Sequence, residues 1–222
     1  MGSIQENLKR IQATLPEGVK LCAVSKTKPN SAIEEAYATG QRIFGENRVQ
    51  ELEEKATVLP KDIQWHLIGH LQSNKVKYIA PFVSMIHAVD DEELLAVIDK
   101  EAKKNNRVID CLIQLHIAQE ETKYGMSEEE AYEFFRLGTW KNYKNVRICG
   151  LMGMATFTEN EQQIRNEFKG LAMFFNRIKS EIMSNHDSFN QLSIGMSGDY
   201  LIAIESGSTL VRVGSAIFGD RN

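Results

Sequence analysis

Short apolar, β-branched runs alternate along the chain with longer segments whose apolar residues recur every three to four positions. The short runs predict eight strands, at residues 19–25, 42–44, 63–68, 85–89, 108–117, 146–152, 191–194 and 209–213. The longer segments predict helices near 30–39, 47–58, 73–79, 91–105, 127–139, 160–184 and 198–204. One more, at about 2–14, carries Ile4, Leu8 and Ile11 on one side, and Leu15 just beyond it continues the pattern. Two helices have entry signals: Asp90 and Asp91 precede Glu93, and Ser127 precedes Glu130.

Continuous apolar strands taking turns with helices require a parallel sheet covered on both faces. Eight such units, with no composition break to mark a linker, predict a single α/β domain over residues 1–222, a closed TIM-type (β/α)8 barrel. An open doubly wound sheet is the rival. Against it, Ser25 is followed by Lys-Thr-Lys-Pro where that fold would place G-x-G-x-x-G. In a barrel the chemistry belongs at the C-terminal ends of the strands.

Composition narrows the class. A hydrophobic share of 42% with only 4 prolines excludes a disordered or collagen-like chain. The 26 Lys and Arg against 30 Asp and Glu leave a formal charge of −4, which supplies no field to gather nucleic acid or anionic lipid. Cys22, Cys111 and Cys149 are odd in number, far apart and set in apolar runs, so they read as reduced, buried thiols of a cytoplasmic protein. The N-terminal segment lacks the apolar core of a signal peptide, and Glu6 stands where a myristoylation signal needs a hydroxyl. No run approaches the roughly 20 apolar residues of a membrane span.

Alternation places Lys20, Cys22, Val24 and Lys26 on one face of the first strand, so Lys26 ends it at the barrel mouth. Partial desolvation there favours the neutral amine, which can attack an aldehyde; otherwise Lys26 is the solvated start of a loop. In the last strand Leu210, Arg212 and Gly214 share a face. An inward Arg212 demands a fixed acceptor, either a carboxylate across the barrel or a ligand atom. Gly214-Ser215 and the run Ser193-Ile194-Gly195-Met196-Ser197-Gly198-Asp199 follow strands eight and seven, where such barrels habitually bind phosphate. Ser197 or Asp199 also fits a plain helix cap, and Asn47, closing the second strand, equally suits the N-cap of the next helix. His66 and His70 flank a strand end rather than a helical turn, which argues against a metal.

Six segments together resemble the pyridoxal phosphate homeostasis protein family, in order and over nearly the whole chain. They are Ala23-Val24-Ser25-Lys26-Thr27-Lys28-Pro29, Phe44-Gly45-Glu46-Asn47, residues 65–75 beginning Trp65-His66-Leu67-Ile68-Gly69-His70, Gly150-Leu151-Met152, residues 192–199, and residues 211–219. The resemblance implies a barrel related to the N-terminal domain of alanine racemase. It implies pyridoxal 5′-phosphate (PLP) held as a Schiff base on Lys26, with Arg212 facing the pyridine nitrogen and Asn47 near the ring substituents. Gly214 and Ser215, with Ser193 or with Met196 and Ser197, would hold the phosphate. Thr122-Lys123-Tyr124-Gly125 matches a segment bordering the pocket, and Ile194 replaces a usual Met, a change of packing only.

Arg212 can only donate, so it favours an unprotonated ring and weakens carbanion chemistry. The chain is also expected to lack the second domain from which alanine racemase draws a tyrosine base. The function implied is a non-catalytic, cytoplasmic PLP carrier in vitamin B6 homeostasis, a monomer or weak dimer with PLP-dependent enzymes as recipients. Nucleic acid, membrane and metal are not expected partners. A single-domain PLP-dependent amino-acid racemase, using Lys26 with Lys123 or Tyr124, and a Schiff-base aldolase are the alternatives.

Overall fold

The structure, a computed structural model, describes residues 2–120 and 124–219. Eight strands, β1 (Lys20–Val24), β2 (Ile43–Glu46), β3 (Gln64–Leu67), β4 (Met85–Val89), β5 (Ile109–Gln114), β6 (Val146–Met152), β7 (Gln191–Ser193) and β8 (Leu210–Val213), pair in parallel in chain order. Pairing of β1 with β8, Cys22 opposite Arg212, closes the barrel. The helices are α1 (Ile4–Gln12), α2 (Asn30–Ala38), α3 (Val49–Val58), α4 (Val76–Ile79), α5 (Glu92–Lys104), α6 (Glu128–Leu137), α7 (Glu161–Glu181), α8 (Tyr200–Glu205) and α9 (Ser215–Phe218). Short 3₁₀ turns occupy Ser73–Lys75 and Thr139–Asn142.

Local chemistry explains most boundaries. The Asp91 side chain accepts from the Leu94 N–H at 2.6 Å to open α5, and Ser127 with Glu130 forms a capping box on α6. Strand β2 runs two residues beyond its apolar stretch because Gly45 and Glu46 continue the ladder opposite His66 and Leu67. Strand β5 stops at Gln114, short of the apolar run, because Leu115 leaves the ladder to bridge Met126. The four-residue helix α9 is too short for any periodicity to announce.

The barrel separates two apolar layers. Cys22, Met85, Ala88, Leu112, Cys149, Met152 and Leu210 fill the lumen, while the larger core lies between strands and helices. Inward alternation brings Gly45 against this lumen packing: a Cβ there would stand 2.7 Å from Cys22 Sγ. Among the described residues, no helix is long and apolar enough to cross a membrane.

Candidate functional site

A cavity of about 680 Å³ opens at the C-terminal ends of β1, β2, β7 and β8, within the range of small-molecule sites. Lys26, Asn47, Met196, Ser197, Arg212, Gly214 and Ser215 all line it. β1 ends at Val24, so Lys26 does not close the strand as alternation predicts; it sits half-buried in the turn that follows and lines the cavity. Asn47 is not the helix cap: α3 starts two residues later, from Arg48, and Asn47 faces the cavity. Its backbone packs so closely on Gly69 that a Cβ at that glycine would lie 2.5 Å from the Asn47 carbonyl oxygen.

Arg212 is buried, and its acceptors are neutral. Nη1 donates to the Ser193 carbonyl at 2.7 Å and to the Ser193 hydroxyl at 2.6 Å, and Nη2 donates to the Gly153 carbonyl at 3.0 Å. The carboxylate tie across the barrel is therefore not what anchors it. Burial draws its pKa down to about 10, so the guanidinium remains a cation at neutral pH. Its Nε–H and second Nη2–H have no acceptor among the described residues, and the side chain lines the cavity.

The two phosphate-type loops meet at Ser197. Its hydroxyl accepts from the Gly214 N–H at 3.0 Å, which ties the β7 loop to the β8 loop. Ser197 therefore does not cap α8, and nor does the Asp199 carboxylate, which accepts the Met196 N–H at 2.5 Å. Ser197, Gly198 and Ser215 line the cavity, and their backbone N–H groups engage no acceptor among the described residues. Gly214 permits close approach, since a Cβ would lie 3.2 Å from the Val24 carbonyl oxygen. These features suit an anion.

Ser193 does not line the cavity. Strand parity turns it into the lumen, fully buried, where it accepts from Arg212. Its hydroxyl also meets His87 Nδ1 at 3.0 Å, and His87 Nε2 meets His66 Nδ1 at 2.9 Å. Burial depresses both imidazoles, His66 to about 3 and His87 well below its ordinary value. The sequence reading passed over His87, although its parity with Met85 in β4 marks it as inward. Tyr124 is exposed and stacks on His70, ring centroids 3.9 Å apart, outside the cavity lining. Thr122 and Lys123 lie outside the described residues.

Residues 1–222 match the family described as alanine racemase, N-terminal domain. The chain is 40% identical over 204 residues to the pyridoxal phosphate homeostasis protein of Aquifex aeolicus, covering 91% of this chain and 87% of that one. Among solved structures it is similar to PipY of Synechococcus elongatus without PLP, at a TM-score of 0.90 and 34% identity over 98% of this chain and 100% of that one. PipY with PLP bound gives a TM-score of 0.87 at 35% identity, again over 98% and 100%. The match over residues 1–222 and the identity to these relatives, on a closed eight-stranded barrel, place the chain in the alanine racemase N-terminal domain family, among the pyridoxal phosphate homeostasis proteins.

Proposed function

We propose that this chain holds PLP reversibly at the barrel mouth, anchored by the Lys26 amine, as a cytoplasmic reservoir in vitamin B6 homeostasis. One observation carries this: idle donors surround a lysine in a single cavity. They are two N–H groups of Arg212 and the backbone N–H groups of Ser197, Gly198 and Ser215. The relatives' name and the PLP-bound form of PipY support the choice of ligand.

When bound, PLP supplies an aldehyde for an amine and an electron-withdrawing pyridine ring. Lys26 offers the amine from the turn that follows β1. Ser197, Gly198 and Ser215 offer N–H groups to the phosphate, Gly214 lets the backbone come close, and Met196 and Asn47 complete the walls. Arg212, a donor only, suits an unprotonated ring nitrogen, which favours holding over turnover. PLP-dependent enzymes are the recipients such a reservoir serves, with the chain acting as a monomer or weak dimer.

The test is the visible absorption spectrum of the purified protein before and after borohydride, followed by peptide mass mapping. The expected result is a pyridoxyl mass on Lys26, its loss in Lys26→Ala, and no α-proton exchange from a panel of amino acids in heavy water. An adduct on another residue would overturn the site, and α-proton exchange would overturn the reservoir in favour of turnover.

A further inference from the structure

Outside the cavity, a buried charge cluster grips the backbone on both sides of Lys26. Ser25 turns away from the lumen and is fully buried. Its hydroxyl donates to Glu46 Oε1 at 2.6 Å. The Lys55 ammonium donates to the same oxygen at 2.8 Å, to the Ser25 carbonyl at 2.8 Å and to Glu51 Oε1 at 2.7 Å. Glu51 Oε1 also accepts the backbone N–H of Thr27 at 2.5 Å. One cluster drawn from β2 and α3 therefore ties the residue before Lys26 and the residue after it.

Two further features mark this as more than packing. Thr27 has φ 63, a left-handed conformation that a β-branched residue adopts only under strain and only where its surroundings enforce it. Glu46 is fully buried with Oε2 unpartnered, and a buried, incompletely satisfied ion pair is a poor device for stability alone. Lys55 commits all three ammonium protons to its bonds, so it is no rival amine to Lys26.

We propose that Glu46, Glu51 and Lys55 are positioning residues which, through Ser25 and Thr27, preset the Lys26 backbone so that its amine enters the cavity oriented for an aldehyde. This role rests on PLP being held by Lys26. It is distinct from the anion loops and from Arg212, which contact the ligand from β7 and β8.

A double-mutant cycle tests it, with apparent PLP affinity of the full chain read by equilibrium dialysis, which needs no Schiff-base chromophore. Lys55→Met and Glu51→Ala are each made in the native background and in Lys26→Ala. Each is expected to weaken binding about tenfold when Lys26 is present, the coupling usual within one network, and less than about twofold in Lys26→Ala. Glu51 is 22% exposed, so Glu51→Ala carries the test if Lys55→Met is not recovered folded. Equal losses in both backgrounds, or none in either, overturn the positioning role while leaving Lys26 as anchor. A Lys26→Ala chain that binds PLP as tightly as the native chain sinks the anchor and the positioning role together, so the two failures are told apart.

Discussion

Arg212 Nη1 donates to the Ser193 hydroxyl at 2.6 Å, and this bond sets the direction of the two hydrogen bonds that link Ser193, His87 and His66. Because the guanidinium can only donate, the Ser193 oxygen accepts and its one proton goes to His87 Nδ1. His87 then carries its proton on Nε2 and donates to His66 Nδ1. Ser193→Ala removes an acceptor from a buried cation and a donor from a buried imidazole. It should destabilise the chain by about 1–3 kcal/mol in urea unfolding; a loss below about 0.5 kcal/mol would show the network to be dispensable.

The lumen histidines make stability depend on pH. In the folded chain His66 is held down at about 3 and His87 well below its ordinary value, whereas unfolded histidine titrates near pH 6.5. The unfolded state therefore binds more protons below about pH 6.5, so stability is full above that pH and falls as pH drops toward about 3. Each histidine contributes up to ~1.4 kcal/mol per pH unit. Urea unfolding at about pH 7 and about pH 5 should show a shallower loss in His66→Gln than in the unaltered chain. Identical losses would mean that His66 takes up no proton on unfolding.

Two glycines make opposite predictions. Gly150 has φ 152 and faces Gln191 in the β6–β7 ladder, where a Cβ would stand 1.7 Å from the Gln191 carbonyl oxygen. Gly150→Ala must displace backbone and should lose about 4 kcal/mol or more, seen as a collapsed soluble yield or melting temperature. Gly170 lies exposed within α7 with nothing within 4 Å of its missing Cβ. Gly170→Ala should gain about 0.5–1 kcal/mol, and a loss there would contradict the assigned helix.

All three thiols should be inert in the folded chain. Burial pushes Cys22 and Cys149 up to about 12 and Cys111 well above its ordinary value, so none supplies thiolate at neutral pH. An aromatic disulfide reagent at about pH 8 should find no fast thiol in the native protein and all three after denaturation. A rapidly labelled native cysteine would place a thiol at the surface.

Much of this molecule is legible from local pattern. Short apolar, β-branched runs mark all eight strands, and alternation within β8 turns Arg212 inward, whereas Lys26 reaches the cavity from the turn after β1. The bounds of β2 and β5 differ from those of the apolar runs, because pairing partners, not hydrophobicity, decide where the ladder ends. The resemblance offers Ser193 beside Met196 and Ser197 for the phosphate; Met196 and Ser197 line the cavity, whereas Ser193 is buried against Arg212 in the lumen.

Strand and helix order and the closed barrel follow from the chain alone, because each is written in spacings of two to four residues. What satisfies Arg212, how His66 and His87 are linked to it, and how Lys55 braces Ser25 belong to the tertiary structure. Those bonds join residues as far as 106 positions apart, and only closure of the barrel brings them within reach.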